Sequence, residues 1–271
     1  MTAPTHSARG LALGPHGARD TRRSLPEEVP VAVTCNGSTQ AVMMCSPQNL
    51  EDFAVGFALT EGFVARTGQI ESVEVIETEA GIEARLWIEE PCVEALGDRR
   101  RAMMGPVGCG LCGIDSLEQA MRDLPVLGEG VSFHLAEIAS ATEALRAHQP
   151  LHDLTNAVHA AGFLTSAGGL QMAREDVGRH NALDKLIGAL ARDGINPATG
   201  AFVITSRVSV EMVQKTVLAG ATTLIAVSAP TAHAVRMANA SNLTLAAFAR
   251  GAQVELFTHP QRIRTDRTDV A

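Results

Sequence analysis

The chain has 271 residues, 46% of them hydrophobic, a net charge of −8 and five cysteines. That is enough apolar content for one large core or two moderate ones, and the odd, sparse cysteine set excludes a disulfide scaffold. No basic run is interleaved with aromatics and no stretch reaches transmembrane length, so neither a nucleic acid nor a membrane is an expected partner.

Residues 1–26 carry Arg9, Arg19, Arg22 and Arg23 without a continuous apolar run. They are expected to form a disordered tail, and Arg22-Arg23 lacks the hydrophobic segment of a twin-arginine export signal, which points to a cytoplasmic protein. From Val29 the pattern turns to β, with Val31 and Val33, then Val42 and Met44, on either side of the hairpin dipeptide Asn36-Gly37. Ser46 and Pro47 read as N-cap and first residue of a helix whose Leu50, Phe53, Ala54, Phe57 and Ala58 recur at helical spacing up to Gly62. Val73 to Ile76 and Ile82 to Ile88, joined through Gly81, predict a second hairpin, and Val93 to Met104 a short helix. These elements form an N-terminal α+β domain over 27–135, with a loop at 104–114.

A second domain is expected over 136–265, with a disordered tail at 266–271. A short helix from Asp115 and a helical stretch from Ala136 to His148 precede a hairpin of Val158 to Thr165 and Leu170 to Glu175. Next comes a helix capped by Asn181 and closed near Gly194, with Leu183, Leu186, Ile187 and Leu190 as its buried stripe. The last third alternates strand and helix: Ala201 to Ile204, a helix ending at Gly220, Thr223 to Val227, a helix from Pro230, and Leu243 to Ala249. Such βαβαβ units give parallel strands that bind ligands outside their carboxyl ends. Those ends carry Ser206 and Arg207, then Ser228 and Thr231, then Ala249, Arg250 and Gly251. Hydroxyls at helix N-termini beside guanidinium groups suit phosphate, and each hydroxyl taken singly also fits a plain helix cap.

Two segments concentrate chemistry. Gly105-Pro106-Val107-Gly108-Cys109-Gly110-Leu111-Cys112-Gly113 places a Cys-x-x-Cys pair in a glycine-saturated loop. Such a loop leaves thiols accessible, and a Cys-x-x-Cys pair commonly depresses the pKa of one thiol, because its neighbour donates a hydrogen bond to the thiolate. Cys35, Cys45 and Cys92 lie in apolar sequence and read as buried small hydrophobes. The string from Arg174 to Lys185 (Arg-Glu-Asp-Val-Gly-Arg-His-Asn-Ala-Leu-Asp-Lys) is dense in ionisable groups directly after a strand. It reads either as a solvated turn or as a ligand-facing cluster. In the second reading Arg179 and His180 face the crevice, and Asp184 and Lys185 occupy the first helical turn, where the dipole favours Asp184.

The chain resembles the formate dehydrogenase accessory sulfurtransferases, the FdhD family. The resemblance rests on Asp52 through Gly62, the Cys109/Cys112 loop, Arg174 through Lys185, and Thr205 through Lys215 together with Val227 to Thr231. It implies a sulfurtransferase that takes persulfide sulfur from a cysteine desulfurase and passes it to the molybdenum cofactor, Mo-bis(molybdopterin guanine dinucleotide), of formate dehydrogenase. It also implies a homodimer, a cytidine-deaminase-like three-layer fold for the second domain, and a guanine nucleotide-type ligand. By position, Cys109 bears the persulfide, Cys112 assists, and Phe248, Ala249, Arg250, Gly251, Ala252 and Gln253 match a cofactor-contact segment. Asn156-Ala157 stands where many relatives have Gly-Gly before the position of His159.

Zinc deamination needs His-x-Glu and Pro-Cys-x-x-Cys. Here His159-Ala160-Ala161 lacks the glutamate and Gly108 precedes Cys109, so the general acid/base is missing. The rival reading is a non-enzymatic cofactor chaperone in which Cys109 and Cys112 clip zinc with Cys92 and His134, though that spacing is not a characteristic one.

Overall fold

Asn36 and Gly37 both take positive φ (45° and 79°), the geometry of a type I′ turn, and this fixes the hairpin of β3 (Val29–Cys35) and β4 (Ser38–Cys45). The Asn36 side chain clips the hairpin to its neighbour, accepting from the Ile88 N–H at 2.8 Å and donating to the Ile88 carbonyl at 3.0 Å. The computed structural model, which describes residues 2–15, 17–103 and 123–265, pairs β3 in parallel with β6 (Gly81–Ile88). With β5 (Ile70–Thr78) this gives a four-stranded sheet of order β4-β3-β6-β5. Helix α1 (Leu50–Thr60) covers one face through Phe53, Ala54, Phe57 and Ala58. Helix α2 (Glu90–Met103) then leads to the cysteine segment, which lies outside the described residues.

The expected tail at 1–26 is instead a two-stranded ribbon, β1 (Thr5–Gly14) with β2 (Gly17–Pro26), in register from Thr5↔Pro26 to Gly14↔Gly17. Its strands are held by the backbone ladder with almost no buried apolar face, so side-chain patterning gives no sign of it. The tail expected at 266–271 and the helix expected from Asp115 lie outside the described residues.

The second unit is built on a six-stranded sheet of order β13-β12-β11-β10-β8-β9. The parallel strands β10 (Ala201–Ile204), β11 (Thr223–Ala226) and β12 (Thr244–Arg250) confirm the βαβαβ reading. Antiparallel β8 (His159–Thr165), β9 (Gly169–Asp176) and β13 (Gln253–Thr258) complete the edges. One face carries α5 (Arg179–Arg192), α6 (Val210–Ala219) and α7 (Ala232–Ala240), whose core includes Leu183, Leu186, Ile187 and Leu190. The other face carries α3 (Leu135–Arg146), with α4 (Pro150–Thr155) beyond it, giving a three-layer mixed α/β arrangement. The chain joins this unit before the expected boundary at 136. Leu127 packs into its core, and β7 (Phe133–His134) pairs in parallel with β14 (Ile263–Arg264).

The two sheets meet through α1 and α5, at two glycines. A Cβ on Gly56 would collide with the Asp184 carbonyl, and one on Gly188 with the Asp52 carbonyl. Only residues without a side chain let these helix backbones approach so closely.

Candidate functional site

The carboxyl ends of β10, β11 and β12 open into a cavity of about 360 Å³. Thr205, Val227, Ala249, Arg250 and Gly251 form its floor, and Thr142, Arg146, Gln149 and His152 from α3, α4 and their junction form its wall. Thr205 is fixed by its own strand pairing: its Oγ1 accepts from the Ala160 N–H at 3.0 Å, and its N–H donates to the Ala160 carbonyl at 3.1 Å. Thr142 Oγ1 donates to the Ala249 carbonyl at 3.1 Å, tying α3 to the end of β12. Arg146 is held by Asp153 at 2.5 Å, whereas Arg250 is exposed at the rim. A cavity at strand carboxyl ends with two guanidinium groups on its border can take an anionic, nucleotide-like ligand.

Of the residues read from the sequence, Ala249, Arg250 and Gly251 line this cavity, whereas Phe248, Ala252 and Gln253 are not among its lining residues. Thr231 is the N-cap of α7, its Oγ1 accepting from the Ala234 N–H at 3.2 Å, so the cap reading accounts for its hydroxyl. Ser206 is buried with its hydroxyl donating to the Arg207 carbonyl, and Arg207 is exposed. Ser228 is half-buried, and its carbonyl accepts the Phe248 N–H at 3.5 Å.

Arg179 and His180 open α5 on the other flank of the strand ends, next to His159 at the start of β8. Burial pushes the His159 imidazole pKa down, and Arg179 and His180 push it the same way. His180 Nε2 lies 3.5 Å from Glu211 Oε2, at the outer limit of a hydrogen bond, while Ser209 Oγ donates to that oxygen at 2.7 Å. These contacts, with His180 the largest influence, hold the Glu211 carboxyl at about 2.

The remaining members of the Arg174–Lys185 string build the seam between the two units. Asp176, fully buried, accepts from the Lys185 ammonium at 2.7 Å, the Ser46 N–H at 3.0 Å and the Gly178 N–H at 2.8 Å. Ser46, expected as an N-cap, instead accepts the Val177 N–H on Oγ and the Lys185 ammonium on its carbonyl; Asn49 holds the N-cap position of α1 without a side-chain capping bond. Asn181 likewise is no cap, since Gly178 holds that place and the Asn181 amide donates to the Met44 carbonyl. Asp184 and Lys185 lie in the second turn of α5. There Asp184 is held by Thr60 Oγ1 at 2.8 Å and Lys215 Nζ at 3.0 Å, with no role for the helix dipole. Burial disfavours the Lys215 ammonium, but the Asp184 and Glu61 carboxylates outweigh it and raise the Lys215 pKa. Arg174 and Arg192 close the seam by clamping Asp52 at 2.8 and 2.5 Å. Glu175 turns the other way and accepts the Leu151 and His152 N–H groups, anchoring the start of α4.

Cys35, Cys45 and Cys92 are buried as expected. Burial pushes the Cys35 thiol up to about 12, and raises Cys45 and Cys92 as well. Cys109 and Cys112 lie outside the described residues. Among the described residues no group of three or more His, Cys, Asp or Glu is gathered as a metal site, and no helix is long and apolar enough to cross a membrane.

The sequence profile of the FdhD/NarQ family matches residues 26–264. The chain belongs to the FdhD/NarQ family. It is 50% identical over 242 residues to the sulfur carrier protein FdhD of Agrobacterium fabrum, covering 89% of each chain. Over 254 residues it is 51% identical to the sulfur carrier protein FdhD of Brucella abortus, covering 93% of this chain and 94% of that one. The fold matches a crystal structure from Desulfotalea psychrophila, assigned as a formate dehydrogenase accessory protein, with a TM-score of 0.78. That match, at 24% identity, covers 97% of this chain and 100% of the other. Kinship to FdhD/NarQ proteins is what the four motif segments imply, although three of those segments supply residues to the seam between the two units. The interior glycines Gly56 and Gly188 are the signal that marks it, since glycine within a helical pattern points to close backbone approach.

Proposed function

We propose that this FdhD/NarQ protein is a cytoplasmic, homodimeric sulfurtransferase that carries sulfur as a persulfide on Cys109, with Cys112 assisting. The Cys109 thiolate attacks the sulfane sulfur of a desulfurase persulfide. The desulfurase cysteine leaves as its thiolate, and Cys109–S–S⁻ remains on this chain. The sulfur is delivered to the molybdenum cofactor, Mo-bis(molybdopterin guanine dinucleotide), as substrate in the crevice, for use by formate dehydrogenase. Thr205, Arg250 and Gly251, with Ser206, Arg207, Ser228, Arg179 and His180 around the strand ends, hold its nucleotide parts.

The observation that carries this reading is the division of the five cysteines in a chain half-identical to named sulfur carriers. Three are buried with raised pKa values, so thiolate chemistry falls to the pair in the glycine loop. The second unit supplies a deaminase-like scaffold without deaminase chemistry, because Ala161 stands where the general acid/base glutamate belongs. Cys109→Ala is expected to abolish activation of formate dehydrogenase while leaving the unfolding midpoint unchanged. Normal activation by that variant would overturn the assignment.

A further inference from the structure

The ribbon of β1 and β2 lies ahead of the family profile, which begins at residue 26, and carries four arginines against one aspartate in a chain of net charge −8. Its register sets Arg9 directly opposite Arg22, and strand alternation puts Leu11 and Leu13, 60% and 77% exposed, on the face these two guanidinium groups share. Like charges directly opposite one another destabilise a strand pair, and a two-stranded hairpin is marginal in water when neither face is covered. Among the described residues, no side chain of Arg9, Arg19, Arg22 or Arg23 makes an ion pair or hydrogen bond. The ribbon thus gathers cations and leucines on one exposed face that its own chain leaves unmatched. It rests on the rest of the molecule through β2, which lies against α4, while the outer edge of β1 stays free. Ten residues per strand carry the arm about 30 Å.

A surface of the opposite charge stands on the same molecule. Strand β5 is an edge of the four-stranded sheet and exposes Glu71 and Glu74, neither of them in an ion pair among the described residues, beside the half-buried Val73, Val75 and Ile76. The opposite edge, β4, holds no charged residue. Each ribbon starts beside its own β5, where Glu77 accepts from the Thr2 N–H at 2.8 Å, but then runs along α4, so Arg9 and Arg22 leave their own Glu71 and Glu74 unpaired. We propose that the ribbon is a docking arm that lies along β5 of a second copy of this chain, Arg9 and Arg22 meeting Glu71 and Glu74 while Leu11 and Leu13 cover the apolar residues between them. A two-fold axis makes the contact twice, each arm on the other copy's edge. Both surfaces are strand edges whose free backbone groups favour such pairing. This deepens the homodimer given under Proposed function and rests on it.

The test is sedimentation of the full-length wild type, of Arg9→Glu/Arg22→Glu and of Glu71→Lys/Glu74→Lys, each alone and the two variants mixed in equal amounts; all four positions are exposed. The wild type is expected to be a dimer that added salt weakens, and each variant alone to dissociate at least about tenfold more readily, because arm and edge then carry like charge. In the mixture each reversed arm meets a reversed edge and each native arm a native edge, so dimers are expected to return. A variant that dimerises as tightly as the wild type would overturn the docking arm and leave the homodimer standing. A mixture no more dimeric than its components would overturn the pairing of arm with β5. A monomeric wild type would overturn both the arm and the homodimer, while sulfur transfer through Cys109 would remain, since the sedimentation reads no sulfur.

Discussion

Replacing Lys215 by methionine removes a buried cation that joins the two units. Its ammonium donates to Thr60 Oγ1 and Glu61 Oε1 at 2.9 Å each and to Asp184 Oδ2 at 3.0 Å, and its side chain is only 8% exposed. Methionine keeps most of the volume, so the change isolates the charge. Asp184, 1% exposed, is left with Thr60 alone. Breaking a buried pair by removing one partner costs about 3–5 kcal/mol, because the orphaned charge stays out of water. That is a large part of a typical domain stability of about 5–15 kcal/mol. The loss depends on pH with a defined sign. Burial already raises the Asp184 pKa, and without the lysine it rises further. A carboxyl whose folded pKa exceeds its unfolded value destabilises as pH rises through the folded value, so the variant recovers stability as the solution is acidified. Urea unfolding at neutral and mildly acidic pH, with Lys215→Met/Asp184→Asn as second variant, measures both effects. The double variant is expected to be more stable than the single one at neutral pH. A single-variant loss under about 1 kcal/mol, or no gain from the second substitution, would refute the account of this seam.

At the same seam, Gly188→Ala is expected to destabilise by about 3 kcal/mol or more, because its Cβ meets backbone that cannot move without separating the helices; thermal unfolding measures it. Thiol titration with an aromatic disulfide is expected to label two cysteines rapidly in the folded protein and all five after denaturation, and rapid labelling of Cys35 or Cys45 would contradict their burial.

Much of the fold is legible in local sequence because its signals are local. Asn36-Gly37 demands positive φ at two successive residues and receives it, and the leucine stripe of α5 and the βαβαβ alternation follow from side-chain periodicity. Ser46 and Asn181 fit local cap patterns, but their groups are claimed by residues more than a hundred positions away, Ser46 by Asp176 and Lys185 and Asn181 by Met44. The Arg174–Lys185 string shows the same limit. Charge density marks it as unusual, yet whether a charge meets solvent, ligand or a buried counter-ion depends on which helix packs against it. Thr60 and Glu61, at the end of α1, reach Asp184 and Lys215 because Gly56 and Gly188 let α1 and α5 touch. The β1–β2 ribbon carries no apolar alternation strong enough to mark it, since almost none of its side chains are buried.

The central claim is that Cys109 receives sulfur. Incubating the protein with a cysteine desulfurase and cysteine, then measuring the intact Cys109 peptide by mass spectrometry, tests it directly. The account predicts one added sulfur atom on that peptide, removed by a reducing agent and absent from Cys109→Ala. An unmodified Cys109 peptide, with the sulfur on another cysteine or on none, would contradict it.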